Sequence, residues 1–387
     1  MGDRYVDIIW NITQVCPWNC MFCCTDAVQV TKKKKAILLK ERSLQELRII
    51  DPSTYQYGMY NSLQLLQEKG IKPTLFDIAL ADRQQRGLEL TYEEKLQVLN
   101  NLLPASAKID FAGGDPLVCY ENYFIVEEAA RLFGKERISI TSTGAGLGRY
   151  DLENLASLIG KFEFTFDEQV DILPCNRPKG YNLSNLKAAR IFSDFGVKTK
   201  AQLPINQGNV KTSTIEAIYK ALNEAQIDEL LLMRIFPVGR GTTNFQDKWQ
   251  VSRETHLRVI DKFRSLEMLY AKPSIRLQCA LRYLEEKSNN ENPCDLMHTS
   301  FGINWKGLLL LSAWATNSIG DPLDDAFVLG NLTLYSLEEL LSTSKAQNYV
   351  KRLDENFGHC KIFSFLFSKS RTANDLFSPT DPLYSSH

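Results

Sequence analysis

Between residues 91 and 240 the hydrophobic period switches repeatedly between about 3.6 and about 2 residues, a rhythm that only alternating helices and strands satisfy. "LTYEEKLQVLNNLL" pairs Thr91 with Glu94 as a capping box ahead of an amphipathic helix. "AKIDFAGGDPL" reads as a strand running into a glycine turn, and "YFIVEEAARLF" as a helix. The pattern repeats through "RISITSTGAG", "LENLASLIGKF", "FEFTFDE", "LSNLKAARIFSDFG", "VKTKAQLPIN", "STIEAIYKALNEA" and "DELLLMRIFPVG". An earlier strand, "YVDIIWNIT", sets Val6, Ile8, Trp10 and Ile12 on one face. Six strands alternating with helices predict an α/β chain with a parallel sheet, open or curled towards a barrel. No GxGxxG follows the first strand, so a dinucleotide site is unsupported.

The rhythm covers part of the chain. Residues 28–90 are charged and read as a helical insertion ("LLKERSLQELRII", "YNSLQLLQEKG"). After residue 245 come a long helix, short strands, loops and a further capped helix, "SLEELLSTS". The expected division is therefore 1–245 and a smaller α+β unit over 246–387. With 387 residues, 44% hydrophobic, 24% charged and a formal charge of -1, the chain has ample core material. It has no global field that would favour nucleic acid or an acidic membrane. The run Lys32-Lys33-Lys34-Lys35 reads as a solvated loop or helix start. "GLLLLSAWA" is too short for a membrane span, and the N-terminus lacks a signal-peptide core. These features point to a cytoplasmic protein, and nine cysteines in a reducing compartment argue against a disulfide framework.

Four of those cysteines stand in "VCPWNCMFCC", directly behind the first strand. Cys16-x3-Cys20-x2-Cys23 can wrap one face of a cubane cluster and leave its fourth iron without a protein ligand. A zinc site asks for four protein ligands, usually in two separated pairs, and no second pair follows nearby. Cys20-x2-Cys23 fits a redox pair, but that leaves Cys16 idle. Cys24 adjoins Cys23 and reads as a neighbour of the ligands.

This spacing, with the aromatic Phe22 before the last cysteine and in the loop after the first strand of a β/α series, resembles the radical S-adenosylmethionine (SAM) superfamily. The resemblance implies a partial (β/α)6 TIM-like barrel. It also implies one [4Fe-4S] cluster on Cys16, Cys20 and Cys23, with SAM chelated to the open iron. Gly113-Gly114-Asp115-Pro116 matches the turn that receives the SAM ammonium. Ser142, Thr143, Thr165 and Asp167 match the strand-end groups for the ribose and carboxylate, and Arg177 matches the arginine for the methionine carboxylate. "RIFPVGRG" matches the strand exit that lines the adenine pocket.

The later residues resemble the SPASM or "twitch" extension of some members. Cys294 is followed after twelve residues by Gly307 and after four more by Ser312, and "LGNLTLYSLEELL" follows in place. Cys360 is kept, but Phe363 stands where a second thiol would be. The expectation is a cysteine-degenerate SPASM-like domain without an auxiliary cluster. The alternative is that Cys279, Cys294 and Cys360 converge to hold one. The implied activity is reductive cleavage of SAM, with the 5'-deoxyadenosyl radical taking hydrogen from a peptide or protein substrate. A small metabolite such as a nucleotide or sugar is the second reading, and a non-catalytic zinc protein the third. Cys24, Cys119, Cys175 and the tyrosines are candidates for completing the radical reaction. The implied partners are the substrate and a flavodoxin- or ferredoxin-type electron donor.

Overall fold

The computed structural model describes residues 5–41, 46–55, 60–167, 177–242, 249–285, 292–297 and 299–384. In chain order the strands are β1 (Val6–Thr13), β2 (Val15–Cys16), β3 (Val28–Lys33), β4 (Ala36–Glu41) and β5 (Glu46–Ile50). Next come β6 (Ala107–Gly113), β7 (Ile138–Ser142), β8 (Lys161–Thr165), β9 (Lys198–Ile205) and β10 (Glu229–Arg234). The last are β11 (Ser274–Leu277), β12 (Ser300–Ile303), β13 (Leu308–Leu310) and β14 (Val328–Asn331).

The strand-helix alternation becomes one curved sheet with spatial order β11-β10-β9-β8-β7-β6-β1-β12-β13-β14. All neighbours from β11 through β12 are parallel, and β12-β13-β14 close the edge antiparallel. The period-2 pattern decides what each face of this sheet does. Ile8, Trp10, Ile109, Phe111, Phe162, Phe164, Leu230 and Leu232 are buried in the main core. There they pack with Val126, Phe192, Ile218 and Phe263 from the helices Tyr120–Phe133, Tyr181–Asp194, Thr212–Glu224 and Arg253–Tyr270. Phe162 and Phe192 stack at 4.4 Å between centroids, and Trp10 lies 5.5 Å from Phe111. Each such side chain contributes roughly 1.5–3 kcal/mol by leaving water. The alternate residues face the other way and are mostly small or polar, so the lumen keeps a cavity of about 660 Å³.

The expected six barrel strands are all present, with an addition at each end. The six predicted barrel strands are extended by parallel strands at both ends, β11 beyond β10 and β12 beside β1. Each has only four residues, too few for an alternation to show in sequence. The large sheet thus runs across residue 245, where the sequence rhythm breaks.

One correction concerns residues 28–90, expected to be helical. Their first part is a meander, β3-β4-β5, and the helices Asn61–Glu68 and Leu75–Gln85 come only afterwards. Val28 and Val30, then Ile37 and Leu39, alternate with exposed or part-exposed residues and pack against Phe76, Ala79 and Leu80. The lysine run hid this period. Lys34 and Lys35 form the hairpin turn, with Lys34 at φ +55°. The meander is tied to the cysteine loop, because β2 pairs in parallel with β3 and sets Cys16 opposite Gln29.

A buried ionic knot fixes this insertion to the end of β1. The Arg83 guanidinium donates to Glu41 at 2.6 Å, to Glu89 at 2.8 Å and to the Gln14 side chain. Glu89 also accepts from the Thr13 hydroxyl at 2.6 Å and the Gln14 N–H at 3.0 Å. Among the described residues, no helix is long and apolar enough to cross a membrane. The eight described cysteines are free thiols.

Candidate functional site

The cysteine loop crosses the C-terminal ends of the parallel strands. Cys16, Cys20, Cys23 and Cys24 all line the cavity there. Three of these sulfurs meet N–H donors. The Trp18 amide points at Cys16 Sγ (3.4 Å), the Ala27 amide at Cys23 Sγ (3.3 Å), and Arg177 Nε at Cys20 Sγ (3.4 Å). The Thr25 hydroxyl adds a 3.4 Å contact to Cys23 Sγ. Such donors favour thiolate and are one of the means by which proteins tune iron–sulfur ligands. Burial pushes the Cys16 and Cys20 thiols above their ordinary values, so metal binding there would have to displace protons.

The loop is braced from the far side by a residue that sequence reasoning did not single out. Arg240, nearly fully buried, donates to Cys20 O at 2.8 Å, to Asp26 Oδ1 at 3.0 Å and to Ala27 O. Its own amide donates to Cys23 O at 2.9 Å. Gly239 beside it sits at φ +53°, and a Cβ there would stand 2.4 Å from Cys24 O. "RIFPVGRG" therefore clamps the cysteine loop, while Ile235 and Phe236 line the cavity. The signal available in sequence was an arginine between two glycines at a strand exit.

The residues matched to SAM divide into two sets. Phe22, Gly113, Gly114, Ser142, Thr143, Thr165 and Arg177 line the cavity with the cysteines. Asp115 and Asp167 are fully buried and are not among the lining residues. The Asp115 carboxylate accepts from the Leu117 amide at 2.9 Å, the Ser142 hydroxyl at 3.1 Å, the Thr143 amide at 3.1 Å and the Thr143 hydroxyl. It ties the end of β6 to the end of β7. Burial raises its pKa, and these donors oppose the rise. Asp167 is likewise engaged by Arg177 and the Tyr181 hydroxyl. It holds the guanidinium over Phe22, with Cζ 5.1 Å from the ring centroid and 5.2 Å from that of Tyr181.

The two glycines have a steric reason the motif alone did not show. A Cβ on Gly113 would lie 2.4 Å from Thr13 O, and one on Gly114 would lie 2.2 Å from Val15 O. The turn is pressed against the chain entering the cysteine loop, with Gly114 N–H on Thr13 O at 2.7 Å and Asp115 N–H on Val15 O at 2.9 Å.

Cys279 and Cys360 also line the cavity, and Cys294 is buried close enough to perturb both. Burial, with Asp381 and Cys294 adding to it, pushes the Cys360 thiol up to about 12. Ser312 reaches the cavity, and its hydroxyl accepts from the Trp314 amide at 3.3 Å. Phe363 is buried beneath the Arg234 guanidinium, 3.3 Å from its ring centroid. Cys119 is in the core of the insertion, away from the cavity lining. Cys175 lies outside the described residues.

No protein-family model matches the sequence, and no curated protein matches it. Solved structures do resemble it. Streptococcus suis SuiB bound to S-adenosylmethionine superposes with a TM-score of 0.59 at 12% identity, over 95% of this chain and 75% of that one. SuiB bound to its precursor peptide SuiA gives 0.56 at 12% identity, over 95% and 74%. Native anSMEcpe with bound AdoMet gives 0.54 at 13% identity, over 90% and 83%. At these identities the likeness concerns the fold. By fold, the chain is similar to these S-adenosylmethionine-bound proteins: a mostly parallel α/β sheet curled into a partial barrel.

Proposed function

We propose that the chain is a radical SAM enzyme in which Cys16, Cys20 and Cys23 hold one [4Fe-4S] cluster and the cavity beneath receives SAM and a substrate. The observation that carries this reading is the set of three thiols, each met by an N–H donor, over a cavity at the C-terminal ends of parallel strands. Bound together, the cluster and SAM would supply one-electron cleavage chemistry and a radical able to abstract hydrogen. The chain's own groups supply the setting. Gly113 and Gly114 expose backbone to the cavity. Ser142 and Thr143 donate to Asp115 and accept from the Gly144 and Ala145 amides, which leaves each hydroxyl one acceptor lone pair. Arg177, held by Asp167, offers a fixed cation for a carboxylate.

The donor set argues for a cluster over a lone zinc ion. Zinc draws its sulfurs to about 2.3 Å from one point, whereas a cubane gives each thiolate its own iron and spreads them. Three cysteine donors fall one short of the four protein ligands that a structural zinc site asks for, and they suit a cubane with one open iron. A peptide substrate is supported by the similar structures that hold one, SuiB with SuiA and anSMEcpe with the Cp18Cys peptide. A low-potential donor of the flavodoxin or ferredoxin type would deliver the electron.

The test uses anaerobically reconstituted protein, wild type against a variant with Cys16, Cys20 and Cys23 all changed to alanine. The readouts are metal and sulfide per chain, and deoxyadenosine formed from SAM under a strong reductant. About four irons and deoxyadenosine from the wild type alone are expected. About eight irons would mean that Cys279, Cys294 and Cys360 hold a second cluster. Zinc without iron, and no cleavage, would overturn the reading.

A further inference from the structure

One layer below the proposed SAM site, four neighbouring strands point polar side chains into the same cavity. They are Asp110 of β6, Thr141 of β7, Glu163 of β8, and Lys200 and Gln202 of β9. A filled barrel would carry branched apolar residues in such a layer. Here both Glu163 oxygens are satisfied, by Lys200 Nζ at 2.6 Å and by Gln202 Nε2 at 2.8 Å. Asp110 is different. Among the described residues, its hydrogen bonding comes from a single hydroxyl, Thr141 Oγ1, at 3.0 and 3.2 Å from its two oxygens. A carboxylate has about four acceptor sites, so most of its capacity faces the cavity. Lys200 is already committed to Glu163, and Lys161 lies 3.9 Å from the same carboxylate.

We propose that this layer is a substrate-anchoring subsite, and that Asp110 receives a protonated amine or guanidinium of the substrate, as on a lysine or arginine side chain. The inference deepens the proposed function and rests on reading the cavity as its substrate chamber. Lys200 and, at 3.9 Å, Lys161 both turn to Glu163, so neither bonds Asp110, and its open acceptor sites are left to an arriving cation. Burial, reinforced by the negative Glu163, pushes the Asp110 carboxyl well above the ordinary carboxylate range. A cation beside it favours the ionised form again. Asp110 stands three residues before Gly113, about 10 Å along the strand. A basic side chain anchored there reaches upward, with its own carbons and backbone at the level of the glycine turn.

The experiment measures binding of N-acetyl-lysine methylamide, N-acetyl-norleucine methylamide and N-acetyl-glutamate methylamide to the reconstituted full chain by calorimetry. It is repeated with Asp110→Asn. The lysine probe is expected to bind wild type about tenfold tighter than the norleucine probe, and Asp110→Asn to shrink that ratio to about threefold or less. Norleucine or glutamate binding as tightly as lysine, an unchanged ratio in the variant, or no measurable lysine binding overturns the proposal. Should Asp110→Asn fail to fold, the wild-type ratio decides alone. Probe binding does not require SAM cleavage. Deoxyadenosine without lysine selectivity therefore rejects this subsite only, and lysine selectivity without deoxyadenosine rejects the reaction only.

Discussion

Arg240 offers the sharpest test of how the barrel holds its cysteine loop. Its guanidinium makes three hydrogen bonds to that loop, one to the Asp26 carboxylate and two to the carbonyls of Cys20 and Ala27. Replacing it by lysine keeps the charge and removes the planar fork. One ammonium at the end of a different stem cannot reach three acceptors placed around a guanidinium. Hydrogen bonds to charged groups contribute roughly 1.5–3 kcal/mol each. With one such bond retained and two lost, Arg240→Lys should cost about 3 kcal/mol. Arg240→Met, which loses the third bond and the positive charge beside Asp26 as well, should cost more, about 5 kcal/mol. The assay is urea unfolding of the metal-free, reduced protein, read by tryptophan fluorescence, because Trp18 sits within the loop. A parallel reconstitution measures iron retained after gel filtration, where the variants should hold less than wild type. Arg240→Lys within about 0.5 kcal/mol of wild type, with equal iron retention, would refute the clamp and return "VGRG" to a mere chain turn.

Two further perturbations bear on the frame around the site. Arg83→Met withdraws the cation from Glu89, while Glu41 keeps Arg86 at 2.5 Å, and should destabilise by about 3 kcal/mol. The same unfolding assay checks it, and a loss under about 1 kcal/mol would mean the knot behaves like a surface pair. His256 is buried with Nδ1 on Ser252 O at 2.9 Å and no partner at Nε2 among the described residues, and burial lowers its pKa to about 4. Its folded value lies below its ordinary one, so the unfolded chain binds the extra proton between about pH 6.5 and pH 4. Stability from this group is therefore complete above about pH 6.5 and falls through that window by an amount on the order of 3 kcal/mol. Unfolding midpoints against pH should show this slope in wild type and lose most of it in His256→Gln.

What the sequence disclosed, and what it concealed, follows from how far each interaction reaches along the chain. The barrel strands were legible because one outward face must be apolar, and that requirement writes itself as a period-2 pattern in Val6–Thr13 or Lys198–Ile205. The meander β3-β4-β5 obeys the same period, but a lysine-rich turn and charged outer residues diluted it into the likeness of a helix. The cysteines could be read as candidate ligands because their spacing is local. Their support was not, since Arg240 reaches Asp26 across 214 positions and nothing nearby in the sequence marks the pair. The glycine turn shows the difference most plainly. Gly113 and Gly114 looked like residues that let a ligand approach the backbone. In the structure the closest atoms are the carbonyls of Thr13 and Val15, which belong to the chain itself. Asp115 then turns away from the cavity and fastens the next strand end through Ser142 and Thr143. A motif matched to ligand binding thus first secures two strand ends against the cysteine loop. Whatever binds in the cavity meets a rim already fixed by those bonds, which is the condition for positioning a reactive group against one carbon–hydrogen bond.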